Sequence, residues 1–512
     1  MTISNFGTGP AGVTVSVDDG FVQSTTIGRP QKYVVFARGD PSTANAAPNT
    51  PTALRFRPDA GRLFGRGSEL AGEMRAALDA GAQKRTEDDD GNIIPLLFGV
   101  MVGENSKTGE EIAGGTGTLT NFPIYENVDD IDVTPAAGDG NIKTEFVYER
   151  PPEQPTGDVG MAINPNTGEV TAADTADYTI DYKWPDWKAA FEGARDVIEP
   201  KETGTWGVCS ESAAVGSRVS EWMDRLRKPY RMVRAVTGSE PNATGPDGQP
   251  QLNVLDDSGN VQYTNPHNND ALWAPGNVRR PSGGTVIGGI GGMMAGNQLS
   301  NPIYGDDIPG YTESIVQTLR PEEHNELARM GVAPIGNTGE KPTLEDSCST
   351  FKYDTGDYLE PETLTTWPRD YYRRRVIDQV ILMGNAAGEF GRKRELDDTT
   401  LQLVQEQFTD DIEVFIEAGL LQTGTPGTDN SGVQGIAQEP QTASEGAGEE
   451  QNGYNVEVIA LAPDTIGIAA TVTPTGVVKH ADVRLSIARQ QTQTFAEARS
   501  SDSGSGSGSQ SA

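Results

Sequence analysis

Cysteine is nearly missing: there are two in 512 residues, Cys209 and Cys348, far apart and with no metal-ligand spacing. Cys209 sits in the apolar run 206–209 and reads as a small buried hydrophobe. Histidine is almost as scarce. His267, His324 and His480 each lie in a polar context, and no G-x-S-x-G elbow accompanies them. A hydrolase triad therefore has no visible base. All three read as surface or loop residues, with His480, beside a strand, the one placed to pack across an interface. Lysine is short too, 12 against 28 Arg. No apolar run approaches the length of a membrane span. The start, Met1-Thr-Ile-Ser-Asn-Phe6, lacks the basic and apolar regions of a signal peptide. The expectation is a soluble protein, not exported by a classical route and without membrane insertion.

What the chain has in excess is acid. Seventy-four Asp and Glu face 40 Lys and Arg, for a net charge of −34. A field of that sign repels phosphates and anionic lipid, so direct nucleic-acid binding is not expected. Long apolar periodic segments argue against an acidic disordered chain. The alternative is a folded protein suited to molar salt, where the Debye length falls to about 3 Å and surface carboxylates no longer repel one another.

The length implies several domains. Residues 1–40 read as an extended arm and a first core strand: Gly12–Val17 alternates with period two, and Gln31–Ala37 is an apolar strand ending at a Gly-Asp-Pro breaker. Residues 41–185 are acidic and rich in Gly, Pro and Asn, and read as one or more β-rich insertions with one helix over 68–82. From 186 to 421 the pattern is α/β. A helix over 187–197 is followed by a strand near 204–210. The next helix is capped by Ser210 and carries Val215, Val219, Trp222, Met223 and Leu226 on one face, and a strand over 230–236 follows it. That order predicts parallel pairing. A short helix over 321–330 precedes a strand at 331–335, and two long helices follow, 369–384 and 398–418, the second capped by Asp397–Thr399. Residues 422–451 form a polar loop. Residues 452–490 return to β, with a hairpin and a strictly alternating strand, Ala481–Ile487. Residues 491–512 are a flexible Gly/Ser tail. The fold class is thus a multidomain α+β or α/β chain: a central α/β core, β-rich insertions and extended N- and C-terminal strands.

Three segments invite chemistry. The glycine-rich stretch 283–296 lacks the Lys-Ser/Thr of a P-loop and the ribose-reading acid of a dinucleotide site, so close helix packing accounts for it better. Asp88–Asp90 and Asp129–Asp132 lack the spacing of a calcium loop. Arg373-Arg374-Arg375 is a basic run in an acidic chain. Consecutive helical residues point about 100° apart, so the three cannot share one face; at least one lies near the buried edge, paired or snorkelling. Intrachain pairing and an acidic partner both fit the run. No cofactor, metal or catalytic residue is expected.

The order of segments resembles the contractile tail sheath family. It runs from the Gly-Val-rich arm through the strand ending Ala37-Arg-Gly-Asp40 to the α/β unit. The Pro-Ser-Gly-Gly opening of the 281–296 helix comes next, then Leu327, Gly331, Val332, Pro334 and Ile335. The aromatic-Arg helix Tyr371–Ile377, the end Ala418-Gly-Leu-Leu421 and the closing β elements complete the order. The likeness covers roughly 1–40 and 185–490; the stretches 41–185, 237–270 and 422–451 depart from it as outward insertions. It implies a structural subunit and not an enzyme, stacked as hexameric rings in a helical homopolymer around an inner tail tube. Contraction of that polymer drives the tube through the host envelope during genome delivery. Partners implied are further copies of the chain, the tail tube protein, and baseplate and tail terminator proteins, with the product made in host cytoplasm and located in a virion tail. The acidity adds a halophilic archaeal host. A sheath-like or baseplate component of a cellular contractile injection apparatus is the alternative. The family's terminal arms complete sheets in neighbouring subunits, which assigns that role to Val13, Val15 and Val17 and to Val483, Leu485 and Ile487. Strands without a local partner are hazards unless another chain pairs with them, which agrees. The family's charge complementarity with the tube makes Arg369, Arg373, Arg374 and Arg375 candidate tube-facing residues.

Overall fold

The computed structural model describes residues 31–87, 93–138, 141–228, 231–242, 263–264, 371–391, 397–418 and 454–472 apart from 463–464, with interrupted coverage of 269–350 and the pair 420–421. All of these lie in one compact unit, residues 1–475.

The fold is mixed α/β, and its centre follows from the composition of one strand. In β1 (Lys32–Ala37) all six residues are buried. A strand buried on both faces needs a layer on each side. The segment that follows supplies one of them with α1 (Asp59–Phe64) and α2 (Glu69–Asp79), and also carries β2 (Thr52–Ala53), the small hairpin β3 (Arg85–Glu87) and β4 (Ile93–Pro95), and β5 (Leu97–Met101). β5 pairs with β1 in parallel and β2 closes that edge antiparallel. The expectation placed 41–185 wholly among outward insertions. Residues 52–101 instead belong to the core. α2 is the helix expected over 68–82, whereas α1, six residues long with Ala60, Gly61 and Phe64 buried, was not foreseen.

Residues 104–185 do form a separate β layer. β6 (Glu104–Ile112), β7 (Thr116–Thr118), β8 (Ile131–Pro135), β9 (Thr144–Phe146), β10 (Met161–Ile163), β11 (Glu169–Ala172) and β12 (Tyr178–Pro185) make a three-stranded sheet, β6-β12-β8, and a four-stranded one, β7-β11-β10-β9. The two share a small core of their own. β12 shows why: Tyr178, Ile180 and Tyr182 point inward, while Thr179 and Asp181 point away.

The chain then returns to the central sheet. α3 (Trp187–Ala194) leads to β13 (Thr203–Val208), α4 (Ala213–Arg227) and β14 (Met232–Thr237). β15 (Glu240–Pro241) and β16 (Tyr263–Thr264) form a short pair, and β17 (Leu272–Trp273) closes the edge. The order is β17-β14-β13-β1-β5-β2, with β13 and β14 parallel as the pattern implied. Val34 and Phe36 face α3 and α4, where Phe36, Phe191 and Trp206 pack with ring centroids 4.9–5.6 Å apart. Tyr33, Val35 and Ala37 face the opposite layer. Ser210 does not cap α4. The helix starts at Ala213, whose amide donates to Glu240 Oε2, and Ser210 Oγ accepts from the Ser212 amide.

α5 (Ile287–Gly296) lies against α2. The strand expected at 331–335 begins only at Ile335: β18 (Ile335–Thr338) pairs with β19 (Lys341–Leu344), and Gly331, at φ +72°, makes the preceding turn. α6 (Tyr371–Gly391) and α7 (Asp398–Glu417) pack as a pair, and β20 (Tyr454–Ala462) and β21 (Thr465–Val472) form an antiparallel hairpin against them. Asp397 caps α7, accepting from the Thr400 amide at 2.7 Å. Among the described residues no helix is long and apolar enough to cross a membrane.

Candidate functional site

The glycine-rich helix α5 settles its own chemistry. Glu73, on the apolar stripe of α2, is fully buried. Its Oε2 accepts from the Gly288 amide at 2.7 Å and from the Tyr311 hydroxyl at 2.8 Å; that hydroxyl in turn accepts from the Gly289 amide at 3.0 Å. A helix leaves its first amides without partners. Here a carboxyl group and a phenol from elsewhere in the chain take up two of them, at the positive end of the helix dipole. The place where a phosphate would sit is thus filled by Glu73. The glycines admit the neighbours. A Cβ on Gly292 would stand 2.6 Å from the Ala77 carbonyl oxygen, and one on Gly291 would strike the Tyr33 ring, whose hydroxyl donates to the Gly288 carbonyl at 3.2 Å.

Burial pushes Glu73 up to about 8, and the nearby Glu69 charge adds to it. Arg280, the Tyr311 hydroxyl and the Gly288 amide pull the other way. Glu69 is itself raised to about 7 by burial. A carboxyl raised above its ordinary 4.5 holds a proton in the folded state that the unfolded chain has already released. Its contribution to stability is full below about pH 4.5 and is lost as pH rises through about 8. Thermal unfolding followed from about pH 4.5 to about pH 8.5 should therefore show a decline in Tm that Glu73→Gln flattens. An equal slope in the variant would refute this account.

The arginine run divides. Arg375 is 2% exposed, so it is withdrawn from the chain's surface and the expectation that it faces a tube is corrected. The reason is its helix face: Arg375 lies one turn from the buried Asp378, beside the apolar stripe of Val376, Val380, Met383 and Ala387 on α6. Asp378 is 1% exposed and pairs at 3.3 Å with Arg234 of β14, which is fully buried and also donates to Gln31 Oε1. Arg227 Nη2 stands 3.9 Å from the other Asp378 oxygen. This anchor of α6 onto the central sheet was missed in the sequence. The only hint was Arg234 between valine and alanine in a strand expected to be buried. Positions 373 and 374 lie on α6, their side chains outside the described residues; Arg369 lies outside altogether.

The C-terminal hairpin carries the open edges. Val456 and Val458 are buried, and Gln405 Nε2 of α7 donates to the Val456 carbonyl at 3.1 Å. Among the described residues β20 and β21 pair only with each other, so the outer edges of a nine- and an eight-residue strand have no strand partner there. Val13, Val15, Val17, Val483, Leu485 and Ile487, assigned to such edges, lie outside the described residues, as do the three histidines. Cys209 and Cys348 are both buried, and burial pushes the Cys209 thiol well up. Among the described residues no group of His, Cys, Asp and Glu could hold a metal ion.

No protein-family profile matches the chain. No curated protein matches it either. Solved structures do, and they are contractile sheath proteins. The helical sheath of the anti-feeding prophage in its contracted state is 11% identical, with 94% of this chain and 99% of that one covered and a TM-score of 0.46. The sheath tail protein of Desulfitobacterium hafniense is 9% identical over 90% of this chain and 100% of that one, with a TM-score of 0.44. The sheath complex of an extracellular contractile injection system in its contracted state is 10% identical over 96% and 100%, with a TM-score of 0.46.

Proposed function

We infer that this chain is a structural subunit of a contractile tail sheath, polymerising around an inner tail tube in the virion of a tailed virus with a halophilic archaeal host. The observation that carries the reading is the hairpin β20–β21, long, packed on α7 through one face, and without strand partners on its outer edges among the described residues. Backbone amides and carbonyls along such edges are a template for further strands. The same sequence has alternating segments at 12–17 and 481–487. Arms from neighbouring copies pairing there would link subunits into a mesh that survives contraction. Positions 369, 373 and 374 keep the tube-facing role, and baseplate and terminator proteins would close the two ends.

No reaction is required of the subunit. The work of contraction is the free-energy difference between two packings of the same chains. The filled N-terminus of α5 fits a protein that uses no nucleotide there.

Negative-stain electron microscopy of the purified chain in molar salt tests the reading. Hollow or striated cylinders are expected. Deleting residues 1–20 should leave a soluble particle with unchanged circular dichroism and no cylinders. Cylinders from the truncated chain would overturn the arm-pairing assignment.

A further inference from the structure

The chain's charge is distributed unevenly, and an exposed apolar tip lies on each of two oppositely charged surfaces. Residues 55–85 carry seven basic side chains against four acidic ones, in a protein whose net charge is −34. One of the four acids, Glu73, is buried. Arg57, Lys84 and Arg85 line one open cleft of about 390 Å³. Arg66 and Arg75 converge over Gly61 of α1, each within 3.5 Å of where its Cβ would be. Arg57 pairs with Asp79 and Arg62 with Asp59, both within the patch. Among the described residues no ion pair engages Arg55, Arg66, Lys84 or Arg85. Phe56, between two of these arginines, is 62% exposed.

The β layer 104–185 carries the opposite sign, with sixteen acidic side chains against four basic ones. Its own exposed tip is Val128, 55% exposed and followed by Asp129 and Asp130. Asp130 is held by Arg38 and Lys183, whereas Asp129 is exposed and only its backbone is engaged, by Asn127. Next along, Asp132 stands directly across from Asp181 in the β8–β12 pairing. Like charges placed opposite each other in a sheet are destabilising, and a cation laid over them relieves the repulsion.

We propose that the basic α1–α2 surface around Phe56 docks onto the acidic β layer around Val128 of a second copy of this chain. The inference rests on the polymer reading above and specifies which faces meet. Charge complementarity selects the occupant. A basic patch on a chain of net −34 finds its most concentrated complement on that chain itself, and exposed apolar tips flanked by opposite charges give each side an anchor inside a polar rim. A heterologous contact of this kind, one face against a different face, propagates without closing into a dimer.

Cross-linking tests it in the full-length protein. Benzoylphenylalanine is placed at position 56, nitrogen-15-labelled and unlabelled chains are mixed, and the assembled fraction is irradiated and sequenced by mass spectrometry. Mixed-isotope cross-links into residues 104–185 are expected. Cross-links from assemblies to other regions, or only within one chain, would overturn the docking while leaving the polymer standing. Absence of any assembly by the unaltered chain would bring down both. A second arm uses Arg55→Glu with Arg85→Glu, neither of which is ion-paired among the described residues, which should raise the concentration needed for sedimentable assembly at least tenfold without moving the monomer's Tm. Combining it with Asp129→Arg and Asp132→Arg should recover most of the loss. Assembly untouched by the reversals, with inorganic phosphate binding at the cleft, would overturn the proposal in favour of a small-anion site.

Discussion

Gly292→Ala should lower the protein's Tm by several degrees, although alanine is the better helix former by about 1 kcal/mol. The new methyl would lie 2.6 Å from the Ala77 carbonyl oxygen, 2.8 Å from the Ala77 Cα and 2.9 Å from the Ala80 methyl. The first two are backbone atoms of α2 and the third is the methyl of its C-cap residue, so no side-chain rotation clears them. The helices must separate, and that pulls the Gly288 amide from Glu73. Overpacking of this kind costs about 1–3 kcal/mol before the cap is counted. Gly72→Ala is the control. It lies in α2 with nothing within 4 Å of its would-be Cβ, so the same change there should stabilise by about 0.5–1 kcal/mol. Thermal or denaturant unfolding of the two variants decides the matter. Equal and opposite signs to those stated would mean that the α2–α5 approach is not the tight contact described.

That contrast also measures what could be read in advance. The small residues of 283–296 pointed to close packing, because no phosphate motif completed itself. Nothing local named the partner, since Glu73 and Tyr311 stand 215 and 22 residues from the amides they hold. Periodicity found α3, α4, α6 and α7, whose faces are built from large apolar residues. It missed α1 and mistook the setting of α2, where alanines and glycines do the packing and arginines occupy the outer face. The basic surface was missed for a related reason. Its arginines are spaced along two helices and a hairpin, so a search for contiguous runs stops at 373–375 and passes them by. Of that run, the expectation that at least one arginine lies near the buried edge is met by Arg375, which is 2% exposed.

Asp378→Ala should be the most destabilising single truncation among the polar residues of the core. Arg234 is fully buried on β14, and removing Asp378 takes away the carboxylate that its guanidinium pairs with in the protein interior. Breaking a buried pair from one side costs about 3–5 kcal/mol, because the remaining charge has lost its water and its counter-charge together. Replacing both partners with apolar groups of similar size, Arg234→Met with Asp378→Leu, should recover most of that loss, since neither charge then has to be desolvated. The double-mutant cycle, read by denaturant midpoint, is expected to show strong coupling; additive effects would refute the pairing. The pair also does something a hydrophobic contact would not. Apolar faces let α6 slide or rotate by small steps on the sheet, whereas Asp378 accepts Arg234 in one register, with Arg375 buried beside it. Positions 373 and 374 are thereby held at fixed angles around α6. The double variant should therefore keep its stability yet lose precision in how α6 sits, which limited proteolysis around 369–391 would register as faster cleavage than in the unaltered chain.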